Sequence, residues 1–75
     1  MIVYCVGNLR NRTYELYPST DDAMKATASS KGALCNSITK CEVSKVFEQD
    51  VFAEILINGK FVTANSNPYW LRRIA

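Results

Sequence analysis

Asn58-Gly59 stands between two apolar runs, Val51 to Ile57 and Phe61 to Ala64, and this placement constrains the chain more than any other feature. A two-residue type I′ turn needs both central residues at positive φ, which Asn and Gly tolerate best, and its twist suits the strands on either side. The segment 51–64 therefore reads as a β-hairpin. In that register Ile57 faces Lys60, Ile55 faces Val62 and Ala53 faces Ala64 on one side, while Leu56 faces Phe61 and Glu54 faces Thr63 on the other. The first side is almost wholly apolar. The second carries Phe52, Leu56 and Phe61 beside Glu54 and Thr63, so it is either half covered by another part of the chain or offered to a partner.

The remaining segments supply the rest of a sheet. Ile2 to Val6, rich in β-branched and aromatic residues and followed by Gly7-Asn8, reads as a first strand with Ile2, Tyr4 and Val6 on one face. Thr13 to Tyr17 alternates as a second strand, and the two form a hairpin whose tip carries Arg10 and Arg12 between asparagines. Pro18 closes the second strand. Ser19 or Thr20 then caps a helix from about Thr20 to near Lys31, where Asp21 and Asp22 complement the positive end of the helix dipole and Ala23, Met24, Thr27 and Ala28 form a small inward stripe. A third strand runs from Ile38 to about Phe47, with a bulge or strand end where Val46 and Phe47 break the alternation. After the central hairpin, Asn67-Pro68 suits the start of one or two helical turns that put Trp70 and Ile74 on one face. The expected fold is α+β, a small antiparallel sheet in the order β-β-α-β-β-β with one helix packed on one face. Residues 1–66 make up a single domain and 67–75 an aromatic, basic tail docked on that domain or on a partner.

Composition narrows the function classes. A chain of 75 residues has room for one domain, which buries only about 60% of the surface its unfolded form exposes. An apolar share of 48% suffices for one core. The net charge of +2, with both signs interspersed, is too weak to predict nucleic-acid binding and of the wrong sign for an acidic mimic of DNA. Cys5, Cys35 and Cys41 lack the spacing of a zinc site, and there is no His, so they read as small buried side chains in a reducing cytosol and no cofactor is expected. The first residues lack the pattern of a secretory signal, and no apolar run approaches the roughly 20 residues of a membrane span. Catalysis finds no foothold either: acid-base chemistry at neutral pH favours His, the carboxylates scatter, and no cysteine has an evident activating neighbour.

Two binding classes remain. A single-stranded nucleic-acid module would stack bases on sheet aromatics and track the backbone with Lys60, Arg10, Arg12, Arg72 and Arg73, although no motif of the common RNA-binding folds is present. A protein-binding module is the better reading, because Tyr69, Trp70, Arg72 and Arg73 concentrate the residue types enriched at interface hot spots. The candidate contact residues are these four, then Phe52 and Phe61 on the mixed hairpin face, then Arg10 and Arg12. A homodimer through that face is also open.

The short β-rich chain with one early helix, opening at Met1-Ile2-Val3-Tyr4 and lacking catalytic or metal motifs, resembles in layout small phage-encoded early proteins, among them anti-CRISPR and other anti-defence inhibitors and host-takeover proteins. That resemblance rests on no specific motif and carries over no residue. It implies stoichiometric inhibition in the host cytoplasm, by occluding a host protein or ribonucleoprotein complex.

Overall fold

In the computed structural model, which describes residues 1–8, 13–29, 38–63 and 69–74, the first strand is the centre of the sheet. β1 (Ile2–Asn8) pairs antiparallel with β2 (Thr13–Tyr17) on one side and with β3 (Ile38–Val43) on the other. β4 (Phe61–Thr63) adds to the outside of β2, and β5 (Leu71–Arg73) to the outside of β3, giving the order β4-β2-β1-β3-β5 with every pair antiparallel. Helix α1 (Thr20–Ser29) connects towards β3, and helix α2 (Lys45–Asn58) lies between β3 and β4. The fold is the expected small α+β architecture on an antiparallel sheet, with a second helix in place of a strand.

Alternation along the strands divides the sheet into two faces, and each takes one helix. Val3, Cys5, Leu16, Cys41 and Val43 point to the face covered by Val51 and Ile55 of α2, and together they form the larger apolar cluster. Val6 and Tyr17, on the opposite face, pack against Ala23 of α1, with Ala26 and Ile38 at the margin. The inward stripe of α1 is thus Ala23 and Ala26. Met24, expected to lie inward, is 53% exposed, because it stands about 100° round the helix from Ala23. Small inward residues let α1 lie close to the sheet. Its start is capped by Ser19: the Asp22 N–H donates to Ser19 Oγ at 3.2 Å, and the Ser19 hydroxyl donates in turn to Asp22 Oδ2 at 3.1 Å.

The expected hairpin over 51–64 does not form. Its first half is the C-terminal part of α2, and Gly59 ends that helix in the left-handed region (φ 81°, ψ −13°), with its N–H donating to the Ile55 carbonyl at 2.8 Å. Asn-Gly at a hairpin turn and Gly just past a helix end use the same property, the absence of a Cβ at positive φ, so the dipeptide alone does not separate them. What decides is the inward set Phe47, Val51, Ile55, spaced four apart as on one side of a helix. Good helix formers intervene at Glu48, Gln49, Ala53 and Glu54. The third strand accordingly stops at Val43, and Val46-Phe47 belong to the first turn of α2 rather than to a bulge. Phe61–Thr63 is a strand as expected but pairs with β2, Leu16 opposite Phe61 and Tyr14 opposite Thr63.

The C-terminal segment also departs from its expected helix. Tyr69 and Trp70 form a turn, and Leu71–Arg73 is an edge strand held in register by Val43 opposite Leu71 and Cys41 opposite Arg73. The Ser44 N–H donates to the Trp70 carbonyl and the Ile74 N–H to the Lys40 carbonyl, extending the pairing at both ends. Asn67 and Pro68, on which the helical expectation rested, lie outside the described residues.

Candidate interaction surface

α2 is apolar on nearly every side but buried on only one. Phe47, Val51 and Ile55 point into the larger core, whereas Val46 (80% exposed), Phe52 (54%), Leu56 (73%) and Ile57 (79%) point out. A helix that sits on a sheet and faces water on its other side is ordinarily polar there, and one that is apolar all round is ordinarily buried all round. Among the described residues, no element lies over the outer side of α2. The polar residues of that side, Lys45, Gln49 and Asp50, are interspersed among the apolar ones and do not replace them.

The patch runs on into a cleft. Phe52 and Leu56 form one wall of an open depression of about 690 Å³ at the end of the sheet, where Tyr17 and Pro18 leave β2 and where Lys25 of α1 and Lys60 reach the rim. Two of its lining groups, Tyr17 and Lys60, are both held by Glu15, which stands outside the lining. Glu15 accepts the Tyr17 hydroxyl at 2.8 Å on one oxygen and the Lys60 ammonium at 3.1 Å on the other. Burial, and then the bond to Glu15, push the Tyr17 hydroxyl well above its ordinary pKa, so it stays a neutral donor. The cleft is therefore a mixed recess, apolar along Phe52, Ile55 and Leu56, whose Tyr17 and Lys60 groups are already engaged by Glu15.

An aromatic brace holds α2 over the sheet. Trp70 packs against Phe47 of α2 (ring centroids 5.3 Å apart, tilted) and edge-on against Phe61 of β4 (5.7 Å), and Tyr69 meets Phe47 edge-on at 5.6 Å. Contacts of this kind are each worth about 0.5–1.5 kcal/mol beyond area burial. At the start of the chain, the Met1 ammonium donates to Glu48 Oε2 at 3.1 Å and the Met1 carbonyl accepts the Val43 N–H at 2.8 Å, tying the first turn of α2 to β1 and β3.

The residues singled out from sequence fall in three places. Phe52 lies on the outer side of α2 and Phe61 is half-buried in β4 against Trp70, so the two do not share the face that a hairpin would have given them. Trp70 is a half-buried packing residue, whereas Tyr69 beside it is 87% exposed. Arg72 is exposed and pairs with Glu42 across β3 and β5, and Arg73 is exposed beside Cys41. Arg10 and Arg12 lie outside the described residues. Val46 and Ile57 are the surface residues that the sequence reading passed over. A helical projection of 45–58 finds both, since they fall within about 20° of each other and away from the Phe47-Val51-Ile55 side.

Cys5 and Cys41 lie on the same sheet face, buried beneath α2. Burial, reinforced by Cys41, pushes the Cys5 thiol up to about 12, and burial raises Cys41 despite the opposing pull of the Arg73 cation. Both therefore stay protonated near neutral pH, which makes them packing groups and poor nucleophiles. Among the described residues no group of three or more His, Cys, Asp or Glu side chains is placed to hold a metal ion, and no helix is long and apolar enough to cross a membrane. No protein-family model matches the chain, nor does any curated protein or any solved structure.

Proposed function

We propose that this chain is a non-catalytic protein-binding domain whose recognition element is the outer side of α2, continued by the cleft beside Phe52 and Leu56. One observation carries the reading: a helix apolar around nearly its whole circumference buries only Val51 and Ile55 fully and leaves four large apolar side chains to water. An exposed apolar cluster of this extent marks an interaction site more often than chance exposure. Exposed aromatics, by contrast, are restricted among the described residues to Phe52 and Tyr69, which do not form the row along a sheet face that base stacking requires. The buried, protonated thiols and the internally paired Glu15, Tyr17 and Lys60 offer no activated group for chemistry. In its most specific form the proposal is an inhibitor of the small phage-encoded, anti-defence kind, acting in a host cytoplasm by covering the working surface of a host protein or complex.

The test is capture of partners by the tagged full-length chain from a host lysate, with and without nuclease, using wild type and Leu56→Glu in parallel. Leu56 is exposed, so the variant keeps its fold. A stoichiometric protein that survives nuclease and binds the variant at least ~30-fold more weakly, the effect of a hot-spot residue, supports the reading. Recovery of nucleic acid alone, lost on nuclease treatment, or binding indifferent to Leu56→Glu, overturns it.

A further inference from the structure

We infer that in the isolated protein the outer side of α2 is occupied by a second copy of the chain, with the two α2 helices lying antiparallel about a two-fold axis. The inference rests on α2 being an interaction face and names its occupant. The exposed parts of Val46, Phe52, Leu56 and Ile57 come to roughly 500 Å², towards the upper end of the ~300–600 Å² of a typical monomer's largest apolar patch. With the stems of Lys45 and Gln49 and the Ala53 methyl between them, one helix side approaches the ~800 Å² per partner of a standard interface.

The pattern favours a like partner. Asp50 and Glu54 sit to one flank, and Gln49, which lies between the two apolar flanks, is uncharged, in keeping with the depletion of charge at interface cores. At 100° per residue, Val46, Ala53 and Ile57 line one flank of the patch and Phe52 and Leu56 the other. A two-fold axis perpendicular to antiparallel helices brings like flank onto like flank. Val46 and Ile57, about 16 Å apart along the helix, are then exchanged by the axis, so that Val46 packs on the partner's Ile57 and the converse. Phe52 lies near the axis against its own copy, and Ala53 is small enough for close approach of the backbones. Lys45, at the N-terminal end of α2, reaches the carbonyl-rich C-terminal end of the other helix, where a cation is favoured.

The experiment is light scattering and sedimentation of the purified full chain across a micromolar concentration range, with circular dichroism to confirm folding. Wild type is expected at about twice its 8.4 kDa chain mass. Ile57→Glu and Val46→Lys, at sites 79% and 80% exposed and so outside the core, should each weaken self-association by about ten-fold or more. An equimolar mixture of the two variants, which sets the new carboxylate against the new cation across the axis, should recover the dimer. A wild type that stays at 8.4 kDa throughout, a dimer indifferent to both variants, or a mixture that fails to recover overturns the inference. A monomeric wild type whose captured protein partner is nevertheless lost on Leu56→Glu overturns only the self-pairing, whereas a monomeric wild type with capture indifferent to that change overturns the α2 reading as well.

Discussion

α1 and α2 cover opposite faces of one sheet, yet they are built on opposite economies. α1 buries a stripe of alanines, turns Met24, Lys25 and Ala28 to water, and is closed at its start by a reciprocal Ser19–Asp22 cap. α2 buries Val51 and Ile55 deeply, leaves Val46, Phe52, Leu56 and Ile57 exposed, and starts at Ser44 with no side-chain cap bond. A helix that only completes a core needs what α1 has. The surplus on α2 contributes nothing to the folded monomer, and a surplus that folding does not use is available for association.

Substitutions on the two sides and the two helices sharpen this contrast. The largest effect should come from Ile55→Ala, which leaves a cavity in the larger core and costs about 2–5 kcal/mol in urea unfolding, while Leu56→Ala next to it changes the stability of the monomer by at most about 0.5 kcal/mol. Equal costs at the two positions would mean that the outer side of α2 is covered within the monomer. Next, Ala23→Leu should cost about 1–3 kcal/mol by forcing α1 off the sheet, whereas Ala53→Leu, on helix that is exposed in the single chain, should leave the stability of the monomer nearly unchanged. Removing the α1 cap with Ser19→Ala should cost about 1 kcal/mol, and Ser44→Ala, whose hydroxyl makes no cap bond, only a few tenths.

Alkali provides a comparison between the two sheet faces. The Cys5 thiol ionises near 9.0 once unfolded but is held to about 12 beneath α2, so the native state keeps a proton that the unfolded chain releases. That contribution is fully present below about pH 9 and is lost as pH rises towards 12, with a slope on the order of 1 kcal/mol per pH unit for this one group. Unfolding followed from pH 8 to 11 should show the decline, and Cys5→Ala should flatten it. The part that remains in that variant reports chiefly on Cys41, raised on the same face, and on Tyr17, raised on the face that α1 covers.

Much of the fold was legible where one period or one cap acts alone. β1 as far as Val6, β2, the start of α1 and β4 follow directly from alternation, from Pro18 and from Ser19 or Thr20 as cap, whereas Gly7-Asn8, expected as a turn, continue β1. α2 was not legible as a helix because Val51 to Ile57 is apolar at almost every position, so a period of two and a period of 3.6 fit it equally well. The confusion carries physical information, since a run that betrays no period is one whose helix has no polar side. The sequence reading thus found Phe52 as a contact candidate, with Leu56 beside it on the mixed face, through an incorrect hairpin, and placed Ile57 on the almost wholly apolar face for the same reason. Trp70 was misjudged differently: its contacts with Phe47 and Phe61 join residues far apart in the chain, and no local signal reports them.

The strand order has a consequence for how the chain assembles. β2 and β3 pair with β1, β4 adds to β2 and β5 adds to β3, so every strand later in the chain joins an edge that an earlier one has left open. No strand has to be threaded between two already joined, and a polypeptide emerging from a ribosome can extend the sheet outward in the order of its synthesis. The inner edges of β1, β2 and β3 each stand unpaired only until the strand that covers them arrives, so that among the described residues the finished sheet leaves open only the outer edges of the short strands β4 and β5.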